Sequence, residues 1–84
     1  MKTYRIYTED INRDKIVKII SNWFNGFTLF EGTGYWKGVS ERALVIEIIA
    51  DDEDEKDIAA MAGEIQSVNT QESVLVSKTE VSFI

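Results

Sequence analysis

Eighty-four residues with 44% hydrophobic side chains suffice for one small globular domain and are too apolar for a disordered chain. The chain has no cysteine and no histidine. That excludes a disulfide framework, a thiolate metal site and a thiol nucleophile, and removes the commonest general base at neutral pH. The formal net charge of −6 is uneven, with residues 1–50 at +1 and residues 51–84 at −7, the reverse of the basic stripe that direct nucleic-acid binding requires.

In chain order, residues 3–8 (TYRIYT) are rich in β-formers and alternate as a strand. Asp10 or Asn12 can cap a first helix whose apolar stripe is Ile16, Val17, Ile20, Trp23 and Phe24, with Ile19 flanking. Trp23 and Phe24 read as core residues on that stripe. Asn25-Gly26 is the expected end, with glycine taking a left-handed cap. A second strand runs from Phe27 to about Glu31, a glycine-rich loop follows, and a third strand runs from about Glu41 to Ala50. The acidic run DDEDEKD at residues 51–57 opens a second helix, its carboxylates suited to the positive end of the helix dipole. Ile58, Met61, Ala62, Ile65 and Val68 mark its buried stripe. After a turn at residues 69–72, residues 73–77 (SVLVS) form a fourth strand, which Val81 to Ile84 extends or follows with a short fifth.

The order β-α-β-β-α-β specifies an α+β ferredoxin-like sandwich, with a four-stranded antiparallel sheet and both helices on one face, in one domain over residues 1–84. In the third strand Leu44, Ile46 and Ile48 point one way, while Val45 and Ile49, flanking Glu47, point the other. Both faces are therefore apolar but helices cover only one, which predicts a homo-oligomer assembled through the open face.

The candidate site is Gly32, Thr33, Gly34, Tyr35, Trp36, Lys37 and Gly38. Backbone amides and Lys37 suit an anionic group, and Tyr35 or Trp36 a planar ring. The plainer reading is a bulged hairpin with Trp36 packed on the sheet or on a neighbouring copy. Glu31, Glu41, Arg42 and Glu47 cluster nearby. Glu47 on an apolar strand face needs a partner, and Arg42, Lys37 or Arg5 can supply one. It is either a ligand contact or acid–base group, or half of an intersubunit salt bridge. Asp51, Asp52, Glu53, Asp54 and Glu55 offer a surface for a basic partner. The simpler reading is a solvated helix start, and the run lacks the alternation and central glycine of a calcium loop. No metal site and no catalytic residue are assigned, and the cofactor is unknown.

Three segments, FNGFTLFEGTGYWKG at residues 24–38, ERALVIEI at 41–48 and QESVLVSKTEVSF at 71–83, resemble an uncharacterised family of small bacterial and phage proteins catalogued as a domain of unknown function. The layout is also similar to PII-like and divalent-cation-tolerance proteins. That resemblance implies a trimer, or failing that a dimer, with ligands in clefts between subunits beside the loop joining strands two and three. The chain differs from the signalling proteins in its much shorter loop and lack of a phosphate-binding glycine motif.

The expectation is a non-enzymatic binding module, a small-molecule or nucleotide sensor or sequestering protein. Its alternative is an acidic inhibitor or adaptor, phage-borne, acting on a basic host factor. An enzyme in the manner of small ferredoxin-like isomerases or monooxygenases is the third reading, with Tyr, Glu, Lys and Arg for acid–base work. The longest apolar stretch, residues 43–50, is interrupted by Glu47 and too short to cross a bilayer, and the N-terminus has no signal-like apolar run. A cytoplasmic location away from membranes is expected.

Overall fold

The computed structural model describes residues 1–71 and 74–82. Among them the elements are β1 (Lys2–Glu9), α1 (Arg13–Trp23), β2 (Thr28–Trp36), β3 (Val39–Ala50), α2 (Glu55–Asn69) and β4 (Leu75–Glu80), with one 3-10 turn at Asp52–Asp54 before α2. The sheet order is β2-β3-β1-β4, every neighbouring pair antiparallel. This is the ferredoxin-like sandwich that the sequence specifies.

Strand parity decides what is buried. Tyr4, Ile6 and Thr8 of β1, with Leu44, Ile46, Ile48 and Ala50 of β3, lie under the helices, where Ile16, Ile20, Ile58, Met61 and Ile65 meet them. Each fully buried aliphatic side chain contributes about 1.5–3 kcal/mol relative to exposure. Alternate residues Thr3, Arg5, Tyr7 and Glu9 of β1 and Ala43, Val45, Glu47 and Ile49 of β3 face away. We call this side the open face.

Several expectations about elements need correction. The glycine loop does not exist as a loop: β2 runs through it to Trp36 and β3 starts at Val39, so the connection is two residues long. Helix α1 does not end on a left-handed Gly26. Phe24 caps it in extended conformation (φ −136°), its N–H donating to the Ile20 carbonyl at 2.8 Å. Because the helix stops at Trp23, that side chain overhangs the core. It is 38% exposed, and its Nε1–H donates to Glu64 at 3.5 Å. Asn12 occupies the N-cap position with φ 55° and makes no side-chain cap bond.

On α2, Ile58, Met61, Ala62 and Ile65 are buried as the stripe requires, but Val68 is partly exposed and Asn69 is buried in its place. Asn69 Nδ2 donates to Thr8 Oγ1 (3.2 Å) and Gln71 Oε1 (3.2 Å), while its Oδ1 accepts from Asn12 (3.3 Å). A polar knot thus ties the end of α2 to β1 and the start of α1. Strand β4 begins at Leu75, and the expected start at Ser73 lies outside the described residues. Val81 and Ser82 are not in a strand, although the Val81 N–H reaches the Met1 carbonyl at 3.2 Å. Phe83 and Ile84 also lie outside the described residues.

The hairpin of β2 and β3 outruns the sheet. The pairing of β1 with β3 stops at Glu9↔Ala43, whereas β2 and β3 continue to Trp36↔Val39. This arm lengthens the molecule to 39 Å. The radius of gyration is 12.7 Å, against about 12 Å for a compact chain of this size.

No helix among the described residues is long and apolar enough to cross a membrane.

Candidate functional site on the open face of the hairpin

The arm is closed by Lys37 (φ 51°) and Gly38 (φ 79°). Two successive positive φ values define a type I′ turn, whose twist matches the flanking strands. Glycine suits its position, while Lys37 takes left-handed backbone at a cost.

The register distributes the candidate residues between two faces. Trp36↔Val39, Gly34↔Glu41 and Gly32↔Ala43 pair on the open side. Thr33, Tyr35 and Arg42 point to the other side, where Tyr35 is 74% exposed. Tyr35 and Trp36 therefore cannot sandwich one ring from the same side. Lys37 Nζ lies 5.8 Å from the Trp36 ring centroid, at the outer reach of a cation–π contact.

Along the open face β2 presents Phe30, Gly32, Gly34 and Trp36. The two aromatics are 49% and 53% exposed, and the glycines between them leave bare backbone. Phe30 and Trp36, six residues apart, stand about 20 Å from each other at strand rise. A Cβ at Gly32 would meet nothing within 4 Å, and one at Gly34 would touch Ala43 and Glu41 at 3.5 and 3.6 Å. Packing within the chain does not demand glycine at either position. The result is a shallow slot with a backbone floor and an aromatic wall at each end.

Two carboxylates border this slot. Glu41 and Glu9 both face the open side, and a hydrogen bond between their carboxyls, with some burial, raises the Glu41 pKa. Glu47 sits further along β3 and is paired within the chain to Arg5 (Nε to Oε2, 3.0 Å). The intersubunit bridge expected for Glu47 is thus satisfied internally, by the one of its three candidate partners that stands directly across the ladder.

On the other side of the arm, Arg13 binds both Asp10 and Glu31, the latter at 2.7 Å. The Arg13 guanidinium beside Asp10 holds its carboxyl below the usual aspartate range. Arg42 is 3.6 Å from the same carboxylate but largely exposed. Glu31 and Arg42 consequently belong to a separate ionic cluster that anchors the arm to α1.

The acidic run is partly neutralised. Lys2 binds Asp52 at 2.9 Å and Glu80 at 3.4 Å, and Lys78 binds Glu55 at 2.6 Å. The Asp51 N–H donates to Asp54 Oδ2 at 3.1 Å, the reciprocal arrangement of a helix start. Among the described residues no group of three carboxylates is arranged to hold a metal ion.

Phe30 and Glu9 are not singled out by the sequence reading, and Glu41 is placed there only within the charged cluster of Glu31, Arg42 and Glu47. The available signal was parity: continued through the glycines, the period-two pattern of β2 puts Phe30 and Trp36 on one face.

No family model and no curated protein matches the chain. Its fold is found in solved structures. A phage SAM lyase in the apo state superposes with a TM-score of 0.76 at 22% identity, covering 94% of this chain and 79% of that one. A DUF3240 family protein from Shewanella baltica OS155 superposes at 0.74 with 14% identity, covering 99% and 91%. At these identities the likeness shows the fold alone.

Proposed function

We propose that the chain is a small-ligand-binding protein whose sites lie on the open face, in clefts completed by further copies of itself. The ligand we assign is an adenosyl sulfonium of the S-adenosylmethionine class. The carrying observation is the slot of Phe30, Gly32, Gly34 and Trp36 with Glu9 and Glu41 at its edge. A bare backbone floor admits a flat purine, and an exposed aromatic ring attracts both a purine and a sulfonium cation. The mutual repulsion of two carboxylates falls when a cation sits between them. The planar part of the expected ligand is kept, while the charge becomes positive because carboxylates, not amines, line this edge. The fold likeness to a phage SAM lyase supports the same ligand class.

One slot wall is incomplete within a single chain. Tyr7, Val39, Ile49 and Leu75 lie exposed on the same face, forming an apolar surface that a second copy covers and thereby roofs the slot. Three copies are the first reading of the assembly and two the alternative.

The test is calorimetric titration with S-adenosylmethionine. Trp36→Ala should weaken binding about tenfold, the loss of roughly 1–2 kcal/mol of cation–π and stacking attraction, with the fold intact. Equal affinity in that variant would rule out the slot.

A second reading, favoured by Glu41 standing beside the slot and by the fold likeness to a lyase, is that the bound sulfonium is also cleaved, a C–S bond breaking with a neutral thioether as the leaving group. Chromatography of S-adenosylmethionine after incubation separates the two: intact ligand means binding alone, and its disappearance, abolished by Glu41→Gln, means turnover.

A further inference from the structure

On the helix side of the sheet, away from the slot, a cleft of about 380 Å³ separates α2 from β4. Its walls are Ile58 and Ala59 on α2 and Val76 on β4. Tyr4 contributes to the floor, with Glu55, Ser77 and Lys78 around it. The cleft lies at the lower end of the roughly 300–1,000 Å³ range typical of ligand pockets. Tyr4 is 1% exposed, and its hydroxyl has no hydrogen-bond partner among the described residues. Buried hydroxyls are normally paired, because one stripped of water and left alone is unfavourable. Here the orphan belongs to a residue that lines open volume. The register sets Tyr4 directly across from Lys78 and Ile6 across from Val76, so β1 and β4 aim these groups to one side.

We infer that this cleft is a second binding site, for a small neutral aromatic molecule that carries one hydrogen-bonding group. Neutrality follows from the rim: Lys78 and Glu55 bind each other at 2.6 Å, so neither charge stands waiting for an ion. The apolar walls favour a ring, and the Tyr4 hydroxyl supplies one polar contact deep in the cleft. Burial and the nearby Glu55 and Asp52 carboxylates raise the Tyr4 pKa, so the phenol stays protonated and can both donate and accept. Access requires the Lys78–Glu55 pair to part, and a half-exposed pair of this kind opens readily.

Indole is a suitable probe, its N–H donating to the Tyr4 oxygen. Titration followed by amide NMR should give saturable shifts at Ile58, Ala59, Val76 and Ser77, and none at Trp36 or Val39. Tyr4→Phe should weaken indole binding about five- to tenfold, the worth of one hydrogen bond, while its spectrum remains that of the folded chain. Ala59→Trp, which fills the cleft from α2, should abolish the shifts. Absence of saturable shifts at these amides, shifts confined to the open face, or equal affinity in Tyr4→Phe would each overturn the assignment. None of these outcomes depends on whether the hairpin slot binds a sulfonium.

Discussion

Glu41 is the side chain whose environment most departs from that of a surface glutamate. Its carboxyl hydrogen-bonds to that of Glu9, which lifts its pKa above the ordinary 4.5. A carboxyl with a raised folded-state pKa binds protons more tightly when folded than when unfolded. Its ionisation therefore opposes folding. The penalty is absent well below 4.5, grows as pH rises past that value, and is complete above the folded pKa. Glu41→Gln should consequently raise the melting temperature at neutral pH and leave it unchanged in acid. Glu9→Gln removes the neighbour that lifts the Glu41 pKa and should abolish this pH dependence. A melting temperature lowered at neutral pH by Glu41→Gln would contradict this account of the Glu41 carboxyl. Asp10 works in the opposite sense. Arg13 lowers its pKa, so its stabilisation is full at neutral pH and is lost as pH falls through the folded value.

At the scale of elements, the hairpin turn and the end of α2 both rest on left-handed backbone. Gly38 (φ 79°) should not tolerate a side chain, and Gly38→Ala should cost about 1 kcal/mol. Thr70 closes α2 at φ 53°, its N–H and that of Gln71 satisfying the Gln66 carbonyl at the helix end. A β-branched residue is poorly suited to that conformation. Thr70→Gly should therefore stabilise the protein by about 1 kcal/mol, read from chemical denaturation midpoints at unchanged slope.

The same two places show how far the sequence is legible. Inward Leu44, Ile46 and Ile48 and the α2 stripe from Ile58 to Ile65 follow directly from period. The hairpin arm did not, because Gly32, Gly34 and Gly38 each lower β-propensity and together mimic a loop. Lys37-Gly38 also lacks the Asn-Gly or Asp-Gly signature of a type I′ turn. Trp23 was misplaced for a different reason. A helical stripe says which face is apolar, but not that the helix stops there and carries the last ring past the core. Likewise Asn25-Gly26 resembles a cap, yet Phe24 turns extended first.

For the whole molecule, the open face decides behaviour. It bears exposed Tyr7, Phe30, Trp36, Val39, Ile49 and Leu75 around the Arg5–Glu47 pair, and exposed apolar patches mark contact surfaces. Self-association through it is our proposal, and the arm extending past β1 gives each copy a means to reach the next. Ile49 lies half-exposed in the middle of this face. Ile49→Lys should change the stability of the isolated fold by less than about 0.5 kcal/mol while dissociating the assembly, which sedimentation equilibrium would report. An unchanged mass distribution would place the interface elsewhere. The candidate ligand residues were legible as a segment, but their division between two faces was not. That division depends on β2 keeping strict alternation through its glycines.

The open-face site is tested most directly by native mass spectrometry of the protein over a graded series of S-adenosylmethionine concentrations. An assembly of two or three copies that retains the sulfonium nucleoside at its clefts is expected. A monomer that carries no ligand at any concentration would contradict it.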